Sequence, residues 1–329
     1  MTSVASRFEL AQTLATDGEW GAVRDLLLLT PAEGRAPDLV LLLAEASLRT
    51  GFLAEGRALL EPVVPVLAQQ GNTPAYRRAV NMLGASAFEL GLMGPAEQRF
   101  QEALALGNAG DDPLTVGRAT NNLGMIAHIR GAYDQALSLY QLAVPAYQRL
   151  GASAGLAETH HNMALALREL RQLDLADKQE RRAIAYAREA GNKRLLAMAQ
   201  VGRAELSLRR GEAAIAEAGA QLGALEYARI PDHLGEADAL RITGAARMAL
   251  GALTGAREVL DRAVALAHEH GSALIEAESR EARARLSALV QDWSALKIDA
   301  ESALALLDQL GAADDHAALA RWYREAVPA

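Results

Sequence analysis

Two pairs of asparagines stand 40 residues apart in this chain, Asn81 with Asn121 and Asn122 with Asn162. An asparagine amide carries both an acceptor and a donor, so a row of them can hold an extended peptide backbone in both directions. Arg78, Arg118 and Arg168 accompany them, and a guanidinium binds a carboxylate through parallel hydrogen bonds. His128 and His161 complete the polar set. This is binding chemistry, with donors, acceptors and cations at fixed intervals. The same residues have a second reading, in which the asparagines bond to neighbouring helices and the arginines form a solvated face.

Other chemistry was sought at the titratable clusters. Glu158 and His161 lie one helical turn apart, a spacing used by helical metal sites, but the further ligands from a second copy of the motif are missing. His268, Glu269 and His270 lack the i, i+4 spacing that puts two histidines on one helix face. The sequence holds no phosphate loop, no GxSxG elbow and no GxGxxG. With no cysteine, disulfides and thiolate metal sites are excluded. The expectation is a protein that is not an enzyme, with no metal and no cofactor.

Composition narrows the class further. The chain has 329 residues, of which 51% are apolar and only 4% aromatic, so small side chains must fill its core. A net charge of −8 argues against direct nucleic-acid binding, which draws on a basic surplus. The first residues, Met1 to Trp20, lack the basic flank and apolar run of a secretory signal. The longest apolar stretches, Leu26–Leu29 and Leu39–Ala44, fall far short of a membrane span. The chain therefore reads as soluble and cytoplasmic, with no membrane contact. Arginine far outnumbers lysine, which occurs only at Lys178, Lys193 and Lys297, a bias suggesting a GC-rich bacterial genome.

The elements that must position the polar residues follow from an internal repeat. Glycine recurs at 51, 91, 131, 211 and 251, interrupted by Arg171 and Gln291. A second ladder runs through Gly71, Gly151, Gly191, Gly271 and Gly311, interrupted by Asp111 and Pro231. A third holds small residues only, Ala44, Gly84, Gly124, Ala164, Ala204, Gly244 and Ala284. Further small-residue ladders pass through Ala96 and Ala136, and through Ala103 and Ala143. A period of 40 over seven units predicts helix–turn–helix hairpins whose small residues let backbones approach. Thr73, Asp112, Ser153, Asn192, Asp232 and Ser272 stand at or beside the expected helix starts, where side-chain oxygens can cap free N–H groups. Pro62, Pro65 and Pro145 fall inside second helices, where kinks are expected.

The predicted fold is an all-α, right-handed solenoid forming a single domain, residues 1–329. Residues 1–37 form an atypical helix pair turning at Gly18, with a loop from Pro31 to Pro37. Seven repeats occupy 38–311, and a capping helix occupies 312–329, with Trp322 and Tyr323 expected to seal the last apolar face.

The run Asn121-Asn122-Leu123-Gly124, then Gly131-Ala132-Tyr133, Ala136 and Ala143, resembles the tetratricopeptide-repeat superfamily. The 40-residue length is similar to its long-repeat branch, which includes kinesin light chains and bacterial peptide receptors. That resemblance implies a concave groove lined by the first helix of each repeat. It places Arg78, Asn81, Arg118, Asn121, Asn122, His128, His161, Asn162 and Arg168 on the groove, and acid–base mixtures such as Asp238, Arg241, Glu278 and Glu281 further on. The lysines of a dicarboxylate clamp are missing from these positions. The expected function is a scaffold holding an extended, acidic protein or peptide segment across repeats two to four. A peptide sensor whose superhelix changes shape is the alternative, and self-association is a third reading.

Overall fold

The period of 40 becomes a series of helical hairpins because each turn carries a residue able to take a positive φ. In the computed structural model, which describes residues 4–16 and 19–327, Gly91 has φ 73° and Gly131 φ 78°. Arg171 and Gln291, which interrupt the glycine ladder, take φ 61° and 59° all the same. A side chain in this region costs roughly 1–2 kcal/mol, so packing of the flanking helices imposes the turn even where the sequence does not favour it.

The chain divides into two compact units, Met1–Ala119 and Thr120–Ala329. In the first, α1 (Val4–Thr16) and α2 (Trp20–Leu28) precede a short 3-10 turn at Ala32–Gly34. The hairpins α3 (Pro37–Arg49) with α4 (Leu53–Ala68) and α5 (Pro74–Glu89) with α6 (Met93–Ala109) follow. The division falls within α7 (Pro113–Ile129). The second unit continues with α8 (Tyr133–Leu150), α9 (Ser153–Glu169), α10 (Leu173–Glu189), α11 (Lys193–Arg209) and α12 (Ala213–Arg229). Then come α13 (His233–Ala249), α14 (Leu253–Glu269), α15 (Ala273–Leu289), α16 (Trp293–Leu310) and α17 (Ala313–Ala326). This is the all-α repeat array expected of a solenoid, and no strand occurs among the described residues. The turn expected at Gly18 lies outside the described residues.

Most of the expected caps form. The side chains of Thr73, Asn192, Asp232 and Ser272 accept from the backbone three residues on. Asp112 accepts from the Leu114 and Thr115 N–H groups. Ser153 does not cap, because it is already the first helical residue and Ala152 holds the cap position. Pro62 and Pro65 lie inside α4, and Pro145 inside α8, without ending either helix.

Three glycines of the small-residue ladder sit against large side chains. A Cβ on Gly84 would meet the Phe100 ring at 2.7 Å, one on Gly124 the Tyr140 ring at 2.5 Å, and one on Gly244 the Leu260 side chain at 2.5 Å. Phe100, Tyr140 and Leu260 are almost wholly buried. Where the ladder holds alanine at 204 and 284, the residues at the matching positions of the second helix are Ala220 and Ala300, both fully buried. Ala44 and Ala164, however, stand at the same spacing from the buried Leu60 and Glu180, so a large partner does not by itself require glycine; at Gly84, Gly124 and Gly244 close packing repays the helix-interior penalty of about 0.5–1 kcal/mol against alanine.

The last helix is sealed differently from expectation. Leu319 is the one buried residue of α17, whereas Trp322 and Tyr323 are only half-buried. Trp322 instead takes the Arg285 guanidinium on its ring, 4.5 Å from the centroid.

Candidate functional site

The first helices carry the polar residues singled out in the sequence, and the two units treat them in different ways. In the first unit, Arg78 and Asn81 share a face of α5. Arg78 is exposed and pairs with Glu45 of α3, whose carboxylate also takes Arg49 at 3.0 Å. Partial desolvation by the surrounding helices first, then the like charge of Arg118, hold the Arg78 guanidinium below its ordinary range, with Asp38 opposing. Arg118 itself, on the first half of α7, is exposed and has no ion pair among the described residues. The Asn81 side-chain oxygen is buried and accepts no hydrogen bond. The neighbouring Arg77 is the structural arginine here, buried and bonded to Asp112 at 2.8 Å.

In the second unit most of the predicted contacts are already taken by the protein. Asn162 donates to the Asn121 oxygen at 3.2 Å, and both residues are buried. His161 meets the Glu180 carboxylate at 2.9 Å. Glu180 is 1% exposed and occupies the core position held by Phe100 and Tyr140 in earlier hairpins. Burial drives the Glu180 carboxyl up, while the same carboxylate, outweighing burial, raises His161. Arg168 is buried and reaches Glu205 at 2.6 Å and Glu169 at 2.9 Å. These four residues, Asn121, His161, Asn162 and Arg168, are therefore turned into helix packing rather than presented to a visitor. Asn122 and His128 remain half-buried. His128 packs edge-on against Tyr133, its Nδ1 has no partner, and burial, with Arg168 adding, lowers its pKa to about 4.

The pairing continues along successive first helices. Arg241 of α13 bonds Asp238 at 2.7 Å and lies 3.4 Å from both Glu205 of α11 and Glu278 of α15. Burial would raise Glu205, but Arg168, Arg241 and Arg209 outweigh it and hold that carboxyl at about 2. Glu278 is pushed up to about 7, by burial first, with Asp238 and Glu205 adding and Arg241 opposing. The alternating signs at this register were visible in the sequence, but the cross-helix partners were not.

A contact absent from the sequence reading joins the two ends of the second unit. Asp314, near the start of α17, lies against Gly131 at the α7–α8 turn, where a Cβ would displace its carboxylate. Its neighbour Asp315 is raised to about 6, by burial and then by Glu169, Glu281 and Asp314. Burial, and after it Asp315, Glu169 and Asp314, push the Tyr133 hydroxyl up to about 12.

The Glu158–His161 spacing does not build a metal centre, since Glu158 is exposed and His161 is committed to Glu180. No cluster of three or more potential metal ligands occurs among the described residues. No helix among them is long and apolar enough to cross a membrane.

Comparison with known proteins places this architecture. A family model described as tetratricopeptide repeat matches residues 115–189. No curated protein matches the sequence. The structure of a Rap protein complexed with competence and sporulation factor is similar, with a TM-score of 0.61 and 13% identity over 98% of this chain and 97% of that one. The Rap conjugation gene regulator of plasmid pLS20, in complex with the Phr* peptide, gives a TM-score of 0.67 and 14% identity over 83% of this chain and 75% of that one. Aspartyl phosphate phosphatase F from Bacillus subtilis gives 0.61 and 11% identity over 81% and 70%. At these identities the likeness is one of fold. Residues 115–189 are tetratricopeptide repeats, and the chain has the fold of the tetratricopeptide-repeat superfamily.

Proposed function

We propose that this protein binds an extended, acidic peptide segment, and that it does so on the α5–α7 face of its first unit. The observation that carries this reading is Arg118, exposed and without an ion pair among the described residues, beside the exposed Arg78. A carboxylate of the ligand would meet these two exposed guanidiniums together. The second unit is a poor receptor for acids, because Arg168 and Arg241 already hold Glu205, Asp238 and Glu278. Two of the structures similar in fold hold a peptide or a factor, by their own description, which supports binding over catalysis as the class of activity.

The test is fluorescence polarisation of the full chain with a library of labelled octapeptides, acidic against basic. Acidic peptides bind and Arg118→Glu abolishes that preference. Indifference of every peptide to the charge reversal sinks the reading.

A sensing role is the second reading, favoured by the contact of Asp314 with Gly131. A ligand that enters the second unit has to work against or around that contact. Small-angle scattering with and without a bound peptide separates the two, since a sensor changes dimension and a plain scaffold keeps it.

A further inference from the structure

Within the second unit the first helices of successive hairpins touch one another, while α10, α12 and α14 are held together mainly through them. The outer faces of these three second helices therefore stand in solvent, and the 40-residue period makes each helix a control for its neighbours. At one register α10 carries Lys178 and Arg182, and α14 carries Glu258 and Arg262, all exposed as on an ordinary solvated face. At the same register α12 carries Ala218 and Leu222. Ile215, Leu222 and Leu225 of α12 are 63%, 65% and 57% exposed.

Ile215, Ala218, Leu222 and Leu225 follow steps of three, four and three residues, the seam by which one helix packs along another. Ala218, small and in the middle of the seam, lets a second backbone approach. An apolar stripe of this kind, rimmed by charge, marks an interaction surface.

The flanking helices select what covers it. On α10, Lys178, Arg182 and Arg188 have no ion pair among the described residues, and Glu189 is the one acid in that condition, since Arg210 holds Asp174 and Arg181 holds Asp177. On α14 the balance is reversed. Glu258 and Glu269 have no ion pair among the described residues, whereas Arg262 is held by Glu236, Asp261 by Arg283 and His268 by Glu276. A two-fold axis running along α12 sets seam on seam and lays α10 of each copy opposite α14 of the other, positive on negative. A two-fold axis across α12 sets α10 on α10, with like charges facing.

We propose that the chain forms a homodimer through α12, the two α12 helices lying parallel and each α10 facing the partner's α14. The apolar seam supplies the affinity, and the flanking charges fix the orientation. The first helices of the second unit take no part in the contact.

The test is sedimentation velocity of the full chain over a concentration series. The parent shows a monomer–dimer equilibrium. Ala218→Lys/Leu222→Arg installs the residues that α10 carries at the same register, so the repeat itself shows that they suit the fold. This variant keeps its circular-dichroism melt and raises the dimer Kd at least about tenfold, the scale set by losing buried apolar side chains. Orientation is read by cross-linking. The chain has no cysteine, so Ile215→Cys and Leu225→Cys each introduce a single thiol. In the parallel pair both positions meet their own copies, and diamide converts both variants to covalent dimers. Ala265→Cys, on α14, stays monomeric on a denaturing gel because its counterpart lies on α10.

A parent that stays monomeric at its highest soluble concentration overturns the proposal. Sedimentation of that monomer with phosphatidylcholine–phosphatidylglycerol vesicles, lost in the double variant, would then assign the stripe to a lipid surface. A dimer indifferent to Ala218→Lys/Leu222→Arg overturns α12 as the interface. Failure of both single-thiol variants to cross-link overturns the parallel arrangement.

Discussion

Asn162 of α9 donates its side-chain amide to the Asn121 oxygen of α7 at 3.2 Å, at a depth where the two residues are 3% and 2% exposed. The pair ties one first helix to the next. Asn162→Ala leaves a buried acceptor without its donor, which costs about 1–3 kcal/mol. The double variant Asn121→Ala/Asn162→Ala should lose less than the sum of the single changes, because each single change strands the other amide. Urea denaturation followed by circular dichroism measures both. Unchanged stability in Asn162→Ala would show that the amide is not a packing group.

Arg168 is the most committed cation of the second unit. Arg168→Met leaves Glu205 7% exposed with only the more distant Arg241 and Arg209. Breaking a buried pair by removing one partner costs about 3–5 kcal/mol, and the two remaining arginines place this case at the lower end. Arg168→Met/Glu205→Leu should recover much of the loss, since no charge is then stranded. A larger loss in the double variant than in the single one would refute the pairing as the source.

The space around two glycines predicts opposite signs for their Gly→Ala changes. At Gly124 the new Cβ meets the Tyr140 ring at 2.5 Å, and Tyr140 is 1% exposed and cannot swing away. Overpacking of this kind costs about 1–3 kcal/mol. At Gly94, in α6, nothing lies within 4 Å of the added carbon, and alanine there should stabilise by about 0.4–1 kcal/mol through the unfolded chain. Thermal melts of the two variants give the comparison, and equal shifts would dismiss the Tyr140 clash as the cause.

Acidification should favour the contact between the ends of the second unit. The Asp315 carboxyl titrates near pH 6 in the folded chain against 3.8 for the free group. Its folded value is raised, so the native state binds more protons between those limits. The unfavourable contribution of the ionised group grows as pH rises from about 3.8 through 6 and is absent below that window. Asp315→Asn should therefore be more stable than the parent above pH 6, with the difference closing toward pH 4. Urea midpoints of both proteins over that range test it. A difference that widens on acidification would reverse the sign of the argument.

The hairpins were legible because their signals are local. A turn glycine, a cap such as Thr73 and a small residue such as Gly84 act within one or two helices, and each recurs at a fixed interval. The candidate site was legible only as a list of positions. Register alone placed Asn81, Asn121 and Asn162 together, yet the structure leaves the first without a bond to its oxygen and joins the other two. Nothing in the spacing marked Glu180 as the partner of His161, because an acid at a core position is revealed only by what lies across from it.

An all-helical chain, the length of its repeat and the places where most helices begin and turn could be read from the residues alone, since these depend on backbone preferences and on side-chain volume repeated many times. Which polar groups are consumed by packing and which stay exposed was settled by contacts between helices distant in the chain. Those contacts pair Arg168 with Glu205, leave Arg118 without an ion pair among the described residues, and open a cleft beside Arg78. A charge or an amide is the same residue in either role, and its role depends on the distance to a partner on another helix.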